Sequence, residues 1–187
     1  MKSLFALLAR RRMAAFERRF GYDMSYGHEM LSASARAFWR FSQVTALSSH
    51  REDVPLHAWY AAKLAGARSE DCGPCVQLVV DMALQEGVPD TLLRALLADD
   101  VGALDDDTAL AWRYARAAAS HASELSGLVE AARQRFGPRG LVSLAFAVTF
   151  SRMYPMLKYA LGHGQTCSRV CVGEHTVVSV PALQHAH

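Results

Sequence analysis

The chain reads as an all-α protein. Alanine, leucine, arginine and glutamate recur while runs of β-branched residues are scarce, so summed propensity favours helix over most of the length. Apolar residues return every three or four positions, and glycine or proline separates the segments that carry them, the pattern of amphipathic helices rather than strands. With 187 residues, 51% hydrophobic and 20% charged, the composition is that of a globular domain, and it excludes intrinsic disorder and fibrous repeats. One domain, 1–187, is expected, with residues 1–48 as an N-terminal helical extension and 163–187 as a C-terminal tail.

The elements follow in order. A first helix covers about Leu4 to Arg19 and stops at Gly21, which tolerates a left-handed C-terminal cap. After the turn Gly21 to Tyr26, a second runs from about Gly27 to Val44 with Met30, Ala33, Ala37, Phe38 and Phe41 at helical spacing. Pro55 suits the first turn of a third helix, ending near Ala65. A fourth spans Cys72 to Glu86 and closes at Gly87. Pro89-Asp90 opens a short helix with Leu92, Leu93, Leu96 and Leu97 on one face, and the acids Asp105 to Asp107 open another by complementing the helix dipole. Ser120 or Ser123 caps the next segment, which continues to Phe136 and breaks at Gly137-Pro138. The long helix beyond carries Leu141, Leu144, Val148 and Arg152, with Pro155 as a kink. After Gly162, Val170, Val172, Val177, Val178 and Val180 suggest a hairpin or an extended arm.

Twenty basic against 18 acidic residues leave a formal charge of +2, too weak a field for a dedicated nucleic-acid binder. The apolar start is short and runs into Arg10-Arg11-Arg12 where a signal peptide needs small residues, so it reads as mature protein. The uncharged apolar stretch Gly140 to Ser151 falls short of the ~20 residues that span a bilayer. No integral membrane contact is expected, and the location expected is cytoplasmic. The basic cluster Arg10 to Arg19 reads as the solvated face of an amphipathic helix, the alternatives being an anionic membrane surface or a partner subunit.

The segment with chemistry is Ser69-Glu70-Asp71-Cys72-Gly73-Pro74-Cys75. Pro74 is acceptable only in a first helical turn, which sets Cys72 at the helix start and Cys75 one turn in, with both sulfurs on one face. Free amides there stabilise a thiolate, and two thiols at this spacing can cycle between dithiol and disulfide. Glu70 is the candidate proton acceptor; Asp71 fits better as the helix cap. Asp81 shares a polar stripe with Gln77 and Gln85 and reads as solvated.

Other readings of the cysteines stay open. Cys72 and Cys75 can be small buried hydrophobes, or can join Cys167 and Cys171 in a four-thiolate zinc site. Cys167 and Cys171 read more simply as separate thiols of the tail. His121, His163 and His175 are isolated, and no histidine spacing supports a metal, so neither metal nor cofactor is expected. Trp39, Trp59 and Trp112 fit core or subunit contacts. Arg152 and Lys158 lie inside an apolar helix, where Arg152 or Lys158 pairs with an acid such as Glu70 or lines a pocket for an anion.

The Cys-Gly-Pro-Cys string is shared with thioredoxin, but that fold needs a strand leading into the motif, and Leu56 to Ala67 is helical in period. Cys72-Gly-Pro-Cys75 at a helix start, Gly87-Val88-Pro89-Asp90 after it, and the block Ala109 to Ala115 followed by Phe136 to Val142 resemble the carboxymuconolactone decarboxylase and AhpD-like (alkylhydroperoxidase-like) family. The resemblance spans Ser69 to Leu97 and Thr108 to Leu161. It implies a bundle of about seven or eight helices, assembly into homo-oligomers, and reduction of a small oxidant or a disulfide by the cysteine pair. In the AhpD-like branch of that family a histidine follows the second cysteine by one turn and a glutamate on the preceding helix completes a proton relay. Those positions are Val79 and, nearly, Tyr60 here. The expected activity is therefore thiol–disulfide oxidoreductase or peroxide reduction through Cys72, Cys75 and Glu70. The alternative is a non-catalytic oligomerisation or binding module that has lost the relay.

Overall fold

A computed structural model describes residues 2–164, 169–173 and 175–178. It is all-α apart from one hairpin. The centre is α5 (Leu56–Arg68), in which every residue from Ala58 to Arg68 is buried. Its alanines and Gly66 explain this: small side chains let neighbouring backbones approach, so one helix can be surrounded. A Cβ built on Gly66 would lie 2.6 Å from the Val148 carbonyl oxygen. Around α5 pack α8 (Asp106–Ser120), α9 (Leu125–Ala160) and α6 (Gly73–Gln85). α7 (Asp90–Leu97) adds Leu93, Leu96 and Leu97 to the same core.

Local chemistry sets the boundaries. The Asp105 carboxylate accepts from the Thr108 amide at 3.0 Å and starts α8, the cap the acidic run foretold. α9 does break at Gly137, whose φ of 70° is non-helical. Among the described residues α9 is the helix long and apolar enough to cross a membrane by length and composition; here it lines the interior with Leu144, Ala147 and Val148. In its middle, the buried Ser143 hydroxyl accepts from the Glu52 amide at 2.8 Å and donates to the Glu52 carbonyl at 3.0 Å, fastening the loop before α5.

Several boundaries differ from the sequence reading. The single helix expected from Gly27 to Val44 is α2 (Ser25–Ala33), α3 (Ala35–Ser42) and α4 (Val44–Ser48). Ser34 breaks it: its backbone is extended, and its hydroxyl accepts from the Ala37 amide at 3.1 Å. α5 continues to Arg68, whose guanidinium donates to the Leu96 carbonyl at 2.8 Å. Neither Ser120 nor Ser123 caps α9; Glu124 precedes it without a side-chain cap, and the Ser120 hydroxyl donates to the Arg116 carbonyl within α8. Trp59 and Trp112 are core residues, whereas Trp39 is 46% exposed.

The first 48 residues form a separate layer. Their buried side chains belong to two satellite clusters and contribute none to the main core. One joins Ala9 and Met13 of α1 (Lys2–Phe20) to Leu31 and Phe38. The other joins Tyr22 and Tyr26 to Cys72 and Cys75. At the far end, β1 (Arg169–Val172) pairs antiparallel with β2 (His175–Val178) across Gly173, so the tail includes the hairpin that its valines suggested. Cys167, Val180, His185 and His187 lie outside the described residues.

Candidate functional site

Cys72 is the N-cap residue of α6, with an extended backbone. Its carbonyl accepts from the amides of Cys75 and Val76, both at 3.0 Å, which starts the helix and draws the two cysteines together. Pro74 occupies the first turn, where its missing amide costs nothing. The Cα atoms are 5.3 Å apart and the sulfurs are joined in a disulfide.

Asp71 does not cap α6. Its φ is 49°, a left-handed turn residue, and its carbonyl accepts from the Tyr159 hydroxyl at 2.9 Å. Glu70 is engaged elsewhere: the Arg152 Nε donates to its carboxylate at 2.6 Å, and the Arg152 Nη1 donates to the Ala119 carbonyl at 3.1 Å. Arg152 thus finds the acid that the sequence suggested for it. Asp81 is half-buried rather than solvated and accepts from Gln77 at 2.8 Å; burial, partly offset by that bond, raises its carboxyl above the usual range.

Among the described residues a polar contact to a sulfur comes from Tyr22, in the turn between α1 and α2. Its hydroxyl lies 3.6 Å from Cys75 Sγ. A disulfide sulfur carries no hydrogen, so the phenol donates. Cys72 and Cys75 are 1% and 5% exposed, sealed by Tyr22 and Tyr26 with Phe16, Phe20 and Phe41 of the N-terminal layer and Leu157 of α9 packed around them. Beneath the tyrosines sits Lys158, 1% exposed, its ammonium 4.6 Å from the Tyr22 ring centre and 5.8 Å from that of Tyr26. Burial lowers the Lys158 ammonium below its ordinary value, and the Asp23 carboxylate counters that. Burial likewise holds the Tyr22 phenol well above its usual range, with the Tyr26 hydroxyl partly offsetting it, so Tyr22 stays a donor at any physiological pH.

The two relay positions of the resemblance hold no acid or imidazole. Val79 is buried in the main core. Tyr60 is fully buried, and its hydroxyl has no hydrogen-bond partner among the described residues; burial and the Glu86 carboxylate keep its phenol protonated. His121 ends α8 in a left-handed conformation, and His163 pairs with Glu29 at 2.5 Å. Among the described residues no three His, Cys, Asp or Glu side chains gather as a metal set. The Cys171 backbone, in β1, exchanges two hydrogen bonds with the Gln77 amide, at 2.6 and 2.9 Å. A groove of about 420 Å³ between α1 and α6 is lined by Arg12, Phe16, Arg19, Phe20, Met82 and Glu86. Phe16 and Phe20 therefore line this groove and also pack against the cluster that holds the disulfide.

Tyr22 and Tyr26 carried no sequence signal, because a tyrosine in a turn 53 residues before Cys75 has no spacing that ties it to a thiol. Lys158 was visible as a misplaced charge in an apolar helix. No family model, no curated protein and no solved structure matches the chain.

Proposed function

We propose that the protein is a thiol–disulfide oxidoreductase of the AhpD-like kind, cycling Cys72 and Cys75 between disulfide and dithiol. The observation that carries this is the bonded pair at the start of α6 with a phenol donating to one sulfur. Helix-start amides favour a thiolate there. In the reductive half, two thiols of a donor become its disulfide while Cys72–Cys75 takes up two electrons and two protons. In the oxidative half, the dithiol reduces a peroxide to alcohol and water, or a disulfide to two thiols, and the pair closes again.

The test is a thiol count on the native chain after a dithiol donor and again after a peroxide, with Cys72→Ser and Cys75→Ser alongside. Two thiols gained and then lost in the wild type, and in neither variant, support the cycle; a count that never changes sinks it. A second reading, a helical module with a structural disulfide, draws on the sealing of both sulfurs and on Val79 and Tyr60 at the relay positions. It predicts reduction only under denaturing conditions.

A further inference from the structure

We infer that Tyr22 is the catalytic donor that carries Cys75 as a thiolate, and that Lys158 is the positioning residue that polarises this phenol. The inference rests on the proposed redox cycle and names the machinery that replaces its absent histidine and glutamate.

Opening the disulfide puts charge where there is little water. A thiolate of a donor such as glutathione attacks the Cys72 sulfur, a mixed disulfide forms there, and the S–S bond breaks with its electron pair leaving on Cys75. A second glutathione thiolate attacks the glutathione sulfur of that mixed disulfide, releasing oxidised glutathione and the Cys72 thiolate. Two electrons enter the protein, and the two thiol protons remain for solvent or the cysteines. The leaving sulfur, only 5% exposed, needs a donor already aimed at it. Among the described residues Tyr22 supplies that donor to Cys75, at 3.6 Å. Its ring faces the Lys158 ammonium at 4.6 Å, and a cation on an aromatic face draws density from the ring and strengthens its hydroxyl as a donor. The same ammonium offsets the new negative charge.

The other groups bearing on this phenol are Tyr26 of α2, Tyr154 of α9 and Asp23 beside it. The Asp23 carboxylate accepts from the Ser25 hydroxyl and amide and acts on Lys158 and on this phenol alike. Burial holds the Tyr26 phenol protonated, and Lys158 is the cation on this ring and the charge that favours the thiolate.

The experiment equilibrates the full chain in glutathione buffers at mildly alkaline pH, counts thiols by alkylation and mass, and titrates the thiolate by ultraviolet absorbance. Tyr22→Phe keeps the ring and removes the donor. Its ratio of reduced to oxidised protein falls about tenfold, a midpoint about 30 mV more negative for a two-electron couple, and the Cys75 thiolate pKa rises by about 1. Lys158→Met moves both readouts the same way, and Lys158→Arg restores most of the loss. A thiolate pKa unchanged or lowered in Tyr22→Phe overturns the inference whatever the ratio does, because loosened packing admits water and lowers that pKa, whereas loss of the donor raises it. A wild type that never reduces in these buffers removes the redox cycle itself and the inference with it.

Discussion

Replacing Tyr26 with alanine tests whether the N-terminal layer controls access to the disulfide. Attack on a disulfide needs a nucleophile in line with the S–S bond, and at 1% and 5% exposure neither sulfur offers that approach until the layer opens locally at Tyr26, with Tyr22 still against Cys75. Tyr26 is 3% exposed and joins a cluster whose other buried members are Tyr22 and the two cysteines. Its ring meets Phe41 edge-on at 6.4 Å. Truncating a buried aromatic costs about 3–5 kcal/mol, and here the loss falls on the seam between layer and body. Taking about 3 kcal/mol, the opened fraction rises roughly a hundredfold. Reduction by a water-soluble phosphine under native conditions, followed by alkylation and mass, should accelerate by that factor. Leu93→Ala, in the main core and outside the cluster around the sulfurs, destabilises the whole domain by about 2–5 kcal/mol and should leave the native rate unchanged. An unaltered rate in Tyr26→Ala, or equal acceleration in both variants, refutes gating by this layer.

Other outcomes follow from the same geometry. Burial lowers the Lys63 ammonium from 10.5 to about 8, so the unfolded chain binds that proton more readily than the folded one. Stability then rises with pH from about 8 toward 10.5, by about 2 kcal/mol at pH ~9.5; urea unfolding of wild type against Lys63→Met isolates this slope, and parallel profiles refute it. Glu70→Gln breaks the Arg152 pair, at 9% and 31% side-chain exposure, and should cost about 1–2 kcal/mol while leaving the pH profile of disulfide exchange intact; a lost limb in that profile would instead make Glu70 the proton acceptor. Gly66→Ala drives a methyl into the Val148 carbonyl, and overpacking of about 1–3 kcal/mol exceeds the helix gain of about 1 kcal/mol. Gly127→Ala, with open space around it, should be neutral or stabilising by about 0.5 kcal/mol in the same denaturation assay.

Much of this was legible locally. Pro74 could only sit in a first turn, so the pair's position at a helix start followed from covalent geometry. Asp105 and Gly137 likewise act within a few residues of themselves, and each lies where its chemistry requires. Ser34 escaped notice because the apolar rhythm Met30, Ala33, Ala37, Phe38 continues across it; a serine hydroxyl that prefers to cap wins over periodicity only when the chain must turn. Asp71 misled for a related reason: it has the right side chain for a cap, but the chain bends left-handed there and Cys72 takes the capping position. The environment of the sulfurs was the least legible part. It depends on how a layer 50 residues upstream folds back, and nothing in Tyr22 or Tyr26 announces a partner in α6.

The pairing of Gln77 with the Cys171 backbone reaches beyond local fastening. A two-stranded ribbon has outer rims, and any rim with free amides and carbonyls is a template on which a foreign strand can zip up. On β1 the rim opposite β2 is occupied at Cys171 by one side-chain carboxamide that imitates a neighbouring strand, giving and receiving one bond each. The glutamine thereby acts as a molecular plug against edge-on aggregation, and it does so from the helix whose first turn holds the disulfide.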